Sequence, residues 1–226
     1  MSDDSLFREV DEEVRRDQAL KLWQRYGNYV VAVSLAVVVA VAGFKGWEYW
    51  QTHRAETSGA AYRQGLTHIE QGRPEEAEAI FADIAAGGQK GYAVLARLQL
   101  AGILADRGRS EEAVTAYDAV ANDSSVAREF RELAHIRAGY VLAGATSPED
   151  LERRLAVLER PDSPWRNAVR EILAAAHYRT GNFLEADRLL NEILLDPQAP
   201  QAMRQRAQMM VEVLEPVLAG RAAAVN

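Results

Sequence analysis

The segment Gly72-Arg73-Pro74-Glu75-Glu76-Ala77 returns as Gly108-Arg109-Ser110-Glu111-Glu112-Ala113 and, more loosely, as Gly181-Asn182-Phe183-Leu184-Glu185-Ala186. This self-similarity constrains the fold more than any single motif, because a unit too small to bury its own apolar face must stack on copies of itself. The first two alanines lie 113 − 77 = 36 residues apart and the next two 186 − 113 = 73, which leaves room for one more unit. Thr146-Ser147-Pro148-Glu149-Asp150-Leu151 fills that place as a degenerate copy, 151 − 113 = 38 residues after Ala113 and 186 − 151 = 35 before Ala186. Four helix-turn-helix units are predicted.

The columns around this turn carry the packing argument. Twelve residues before each anchor position (Ala77, Ala113, Leu151, Ala186) stand Gly65, Ala101, Gly139 and Ala174, all small. Small residues let neighbouring helices approach closely. Four after the anchor come Phe81, Tyr117, Leu155 and Leu190, and seven after it Ile84, Val120, Leu158 and Ile193, all bulky or apolar. Such a pattern, at a period of 35 to 38 residues, resembles the tetratricopeptide repeat over roughly residues 60 to 198. The repeat's early Trp is absent, and its terminal Pro is matched only approximately by Pro161 and Pro197. A last helix from Pro200 is expected to cap the final pair, with Pro216 kinking or ending it.

Ahead of the repeats, Tyr29 to Phe44 reads YVVAVSLAVVVAVAGF without a charge. Extended to Trp50 it makes one helix of roughly 33 Å at about 1.5 Å per residue, enough to span a bilayer. Tyr29 at one end and Trp47 and Trp50 at the other stand where aromatic rings settle at membrane interfaces. A cleaved signal peptide is disfavoured, because the residues before the run are too many and too acidic. Arg15, Arg16, Lys21 and Arg25 precede the span, against Lys45, Arg54 and Arg63 at or beyond its end. This bias favours a cytoplasmic N-terminus and a translocated repeat domain. The expected organisation is an N-terminal juxtamembrane helix over residues 1–28, a transmembrane helix over 29–50, a linker over 51–59 and an all-α helical-repeat solenoid over 60–226.

Elsewhere the sequence mostly excludes. Net charge is −7, which argues against nucleic acid, and no cysteine is present, which removes disulfides and thiolate chemistry. The histidines His53, His68, His135 and His177 show no metal-binding or acid–base spacing. His68 and His177 share a repeat column, so packing is the favoured reading of both. Glu75-Glu76 and Glu111-Glu112 open helices, where negative charge is favoured. No phosphate loop or nucleophile elbow occurs, so neither cofactor, small-molecule substrate nor enzymatic activity is expected. The expected function is binding of protein partners along the first helices of the repeats, with Arg63, Arg97, Arg170 and His177 as candidate contacts. Arg97 and Arg170 share a register and Arg137 does not, so a solvated charge row is the competing reading.

The short arm Phe7-Arg8-Glu9-Val10-Asp11-Glu12-Glu13, the anchor ending Gly46-Trp47-Glu48-Tyr49-Trp50-Gln51-Thr52-His53-Arg54, and Ser163-Pro164-Trp165-Arg166-Asn167-Ala168 within an acidic repeat domain resemble the ancillary SecYEG translocon subunit family, the YfgM-like proteins. The resemblance implies a bacterial inner-membrane protein whose periplasmic repeats work beside the Sec translocon and periplasmic chaperones. The repeats are also similar to those of a periplasmic division coordinator, which leaves an envelope or division scaffold as the alternative.

Overall fold

A computed structural model describes the backbone of residues 3–225 and the side chains of residues 23–29 and 31–220. Among the described residues it contains α1 (Asp3–Glu70), α2 (Pro74–Gly87), α3 (Lys90–Asp106), α4 (Ser110–Ala121), α5 (Arg128–Leu142), α6 (Pro148–Leu155), a 3-10 turn (Ala156–Leu158), α7 (Arg166–Arg179), α8 (Phe183–Leu195) and α9 (Gln201–Val225), with no strand. The chain divides into two compact units, Met1–Glu56 and Thr57–Asn226.

In the first unit, α1 is long and apolar enough to cross a membrane, with a mean hydropathy of 2.0 over its most apolar window. Val33, Leu35, Val38 and Phe44 are all exposed, an arrangement stable in hydrocarbon and costly in water. Tyr29 is also exposed, and the rings of Trp47 and Trp50 lie 5.4 Å apart with the Arg54 guanidinium 4.7 Å from the Trp50 ring. The segment 51–59, expected as a linker, is helical instead. It contains no proline, and its single glycine is its last residue, so nothing in it breaks the backbone hydrogen-bond ladder. The apolar residues of the expected juxtamembrane helix, Leu6 to Leu22, lie outside the described side chains.

The second unit is built by one turn used three times. Gly72, Gly108 and Gly181 have φ of 69°, 75° and 79°, a left-handed backbone that glycine adopts without steric cost. Each accepts the chain at the end of a first helix with the same pair of bonds: Gly72 N–H to the Ile69 carbonyl and Arg73 N–H to the His68 carbonyl, then Gly108 to Ala105 and Arg109 to Leu104, then Gly181 to Tyr178 and Asn182 to His177. These are Schellman closures, which satisfy carbonyls that a helix end leaves unpaired. The next helix starts at once, with Pro74 in its first turn or with Glu75, Glu76, Glu111, Glu112 and Glu185 against the positive helix end.

The third unit closes differently because it has no glycine in that column. Thr146 N–H and Ala145 N–H both bond the Leu142 carbonyl. Ser147 then caps α6, its hydroxyl accepting from the Asp150 N–H at 3.2 Å. The second helix of this unit is short and tightens into the 3-10 turn, so Leu158 reaches the core from that turn rather than from an α-helix.

Packing follows the columns. Gly65, Ala101, Gly139 and Ala174 are buried, as are Ala77, Ala113, Ala186 and Leu151. A Cβ added at Gly139 would stand 3.1 Å from Ile172 Cδ1, and one at Gly65 2.7 Å from the Phe81 ring. Three apolar clusters result: one around Phe81 and Ile84, one around Tyr117 and Val120, and the largest joining Leu151, Leu155 and Leu158 to Ile172, Leu190 and Ile193. Ala207 and Leu214 of α9 complete the largest cluster, so α9 covers the last repeat. Pro216 does not end α9. Both Pro216 and Glu212, whose carbonyl loses its intrahelical partner, are exposed, so the helix can pass the proline without burying that carbonyl.

Candidate interaction groove

The arginines on the first helices divide into two kinds. Arg97 donates from Nη1 to Asp123 at 2.9 Å and from Nη2 to the Ala119 carbonyl at 2.9 Å. Arg170 pairs with Glu192 at 3.0 Å and donates to the Asn167 side chain at 3.0 Å. Both guanidiniums therefore tie the two helices of a repeat together. Arg63 and Arg137 are exposed and make no ion pair among the described residues. His177 is buried at the Schellman turn of α7, with Asn182 3.3 Å from its Nδ1 and Glu152 3.5 Å from its Nε2. The structure does not bring Arg63, Arg97, Arg170 and His177 to one point.

Asp123 shows what such ties do to titration. The Ser125 hydroxyl at 2.7 Å, then Arg97 and the Ser125 N–H, stabilise its carboxylate and lower its pKa to about 2. Folding thus depresses this pKa from an ordinary value of 3.8. The stabilisation it provides is complete above the unfolded value and is lost as pH falls through that value toward about 2. The wild-type melting temperature is expected to drop between these limits, and Asp123→Asn to flatten the drop; an equally steep acid limb in the variant would count against this pairing.

Two cavities that share Tyr140 lie along the first helices. The larger, about 510 Å³, is walled by Ile69 of α1, Gln99, Gly102 and Ile103 of α3, Leu133, Ile136 and Arg137 of α5, Trp165 and Ala168 before and in α7, and Met203 of α9. The smaller, about 290 Å³, is walled by Ala174 and Ala175 of α7, Leu190 of α8, and Ala207 and Met210 of α9. Tyr140 lines both and stands between them. Its hydroxyl donates to Glu171 at 2.6 Å, and Arg206 donates to the two Glu171 oxygens at 2.7 and 2.9 Å. Burial, and then the Glu171 carboxylate, raise the Tyr140 pKa well above the ordinary phenol value, so the hydroxyl keeps its proton at neutral pH.

An apolar groove with a few placed polar groups is the usual architecture of a recognition surface. Here it is assembled from first helices of successive repeats, so its length is set by the stacking. Gly102 opens the floor: a Cβ there would have only the Tyr117 hydroxyl nearby, at 3.5 Å. The sequence columns did not single out Gly102, Tyr140 or Ala175. Their one available signal is that they lie between the packing columns of their helices.

Residues 21–212 match the family described as tetratricopeptide repeat-like domain. Among curated proteins the chain is similar to the ancillary SecYEG translocon subunit of Escherichia coli (strain K12), 28% identical over 104 residues, which is 45% of this chain and 50% of that protein. It is also similar to the ancillary SecYEG translocon subunit of Haemophilus influenzae (strain ATCC 51907 / DSM 11121 / KW20 / Rd), 29% identical over 92 residues, 39% of this chain and 44% of that protein. The chain spans about half the length of the curated relatives it matches. No solved structure matches it. The chain belongs to the tetratricopeptide repeat-like domain family.

Proposed function

We propose that this member of the tetratricopeptide repeat-like family is a non-enzymatic, membrane-anchored scaffold that binds protein partners in its groove beside the Sec translocon. The observation that carries the reading is the apolar groove formed by α1, α3, α5, α7 and α9 in a chain similar to ancillary translocon subunits. In the finer form of the proposal, residues 29–50 span the inner membrane, residues 1–28 lie in the cytoplasm, and residues 60–226 lie in the periplasm, where the groove links exported proteins to chaperones. The excess of Arg and Lys before the span supports that orientation. A reporter fused after Asn226 that is active only in the cytoplasm would reverse it.

Affinity purification of the full chain from detergent-solubilised membranes tests the partner assignment. Translocon subunits should co-purify with the wild type, and Gly102→Leu should lower their recovery about tenfold by filling the groove. The same variant should keep or raise the melting temperature, because it replaces glycine inside α3 with a good helix former. Absence of every translocon subunit among specific partners would sink the proposal.

A further inference from the structure

The smaller cavity has properties the groove as a whole does not. Its walls are almost entirely apolar, and their small residues, Ala174, Ala175 and Ala207, are what leave the space open. Ala175 is exposed on α7 although its helical neighbours Ala174 and Ala176 are buried. The volume of about 290 Å³ suits one large apolar side chain and is too small for a folded element.

The mouth is polar but neutral. Glu171 is matched by Arg206 through two hydrogen bonds, and the Tyr140 hydroxyl donates a hydrogen bond to the same carboxylate. A free charge at this point would attract an ion; a compensated pair attracts none. Arg206 also hydrogen-bonds Tyr140, and with five N–H groups its guanidinium keeps donors beyond its bonds to Glu171 and Tyr140. Spare donors beside an apolar hole suit the carbonyl of a peptide bond. A lipid acyl chain would fill the hole but leave them unused.

We infer that the space between α7, α8 and α9 is a side-chain pocket for a peptide segment of the bound partner, taking one large aliphatic or aromatic residue while Arg206 holds the adjoining main-chain carbonyl. This deepens the proposed function and rests on it. Tyr140, between the two cavities, then sets the direction in which the rest of the segment runs along the larger one.

The test uses the full chain in lipid nanodiscs and fluorescein-labelled 15-residue peptides of Gly, Ser and Asn that carry a single Leu, Phe or Ala at the centre. Leu and Phe peptides should bind roughly tenfold or more tightly than the Ala peptide. Ala175→Trp should remove that preference, whereas Ala175→Ser should retain it; helical circular dichroism checks that both variants fold. If Leu and Phe peptides bind but Ala175→Trp leaves their affinity unchanged, the pocket assignment fails and the groove function stands. If no peptide binds while partner proteins are still captured, the pocket assignment fails again. If neither peptides nor partners bind, both readings fall. Photocrosslinking from benzoylphenylalanine at position 175 adds a direct readout: adducts on peptide support the pocket, and adducts on lipid acyl chains alone overturn it.

Discussion

Asp196→Ala is expected to lower the unfolding free energy of the repeat domain by about 3–5 kcal/mol, as when one partner is removed from a buried ion pair. Asp196 ends α8 and is buried. It accepts two bonds from Arg166, at 2.7 and 2.9 Å, one from the Asn167 amide at 2.9 Å and one from the Gln198 N–H at 2.8 Å. Burial opposes its charge, but the Gln198 N–H, Asn167 and Arg166 outweigh it and hold the carboxyl below the ordinary carboxylate range. Alanine would strand Arg166 and Asn167 in a region that water reaches poorly, and that desolvation is the source of the cost. Removing both charges, as in Arg166→Met with Asp196→Leu, should cost less than Asp196→Ala alone. Urea unfolding of the detergent-solubilised chain, followed by circular dichroism, reads both. A single-variant loss under about 1 kcal/mol would contradict the network, because it is the size expected of a surface pair.

That network also shows where sequence reading stops. The turns at Gly72, Gly108 and Gly181 are legible because left-handed backbone selects glycine and helix starts select acidic residues. The turn of the third unit, at Thr146, has neither glycine nor a strict match, yet the register of Gly139 and Leu155 places it. The 3-10 turn at Ala156–Leu158 is invisible, since an apolar residue in that column serves either geometry. Ser163 to Ala168 reads only as a segment shared with a family. The structure gives it a physical purpose: the Ser163 hydroxyl accepts from the Trp165 N–H, Trp165 donates to Glu132, and Arg166 and Asn167 hold Asp196. Arg97 and Arg170 lie on first helices as the register expects, but periodicity does not reveal that their partners, Asp123 and Glu192, stand 26 and 22 residues further on (123 − 97 and 192 − 170). The groove is hidden for a related reason. Ile103 and Ile136 help wall it and are also buried among the core residues, so the sequence marks them as core alone.

Gly65→Leu and Phe81→Ala should each destabilise the domain, and together they should cost less than their sum. Phe81 is fully buried, its ring 5.3 Å from that of Tyr62, and its truncation leaves a cavity worth about 3–5 kcal/mol. At Gly65 the problem is the opposite. A Cβ would stand 2.7 Å from Phe81 Cζ and 2.8 Å from Cε1, closer than carbon atoms pack, so a leucine must push the ring and α2 outward at about 1–3 kcal/mol. Phe81 is held on its other sides by Ala77 and Ile84 of its own helix and by Ala96 and Ile103 of α3, and has little room to yield. In the double variant the leucine occupies part of the space the ring has left, and two errors of opposite sign offset each other. Such compensation is possible only if the two positions touch, so unfolding free energies of the two single variants and the double variant measure the contact directly. Strict additivity would mean that the small-residue column does not face the bulky column across the first repeat, and the alignment of all four repeats would have to shift.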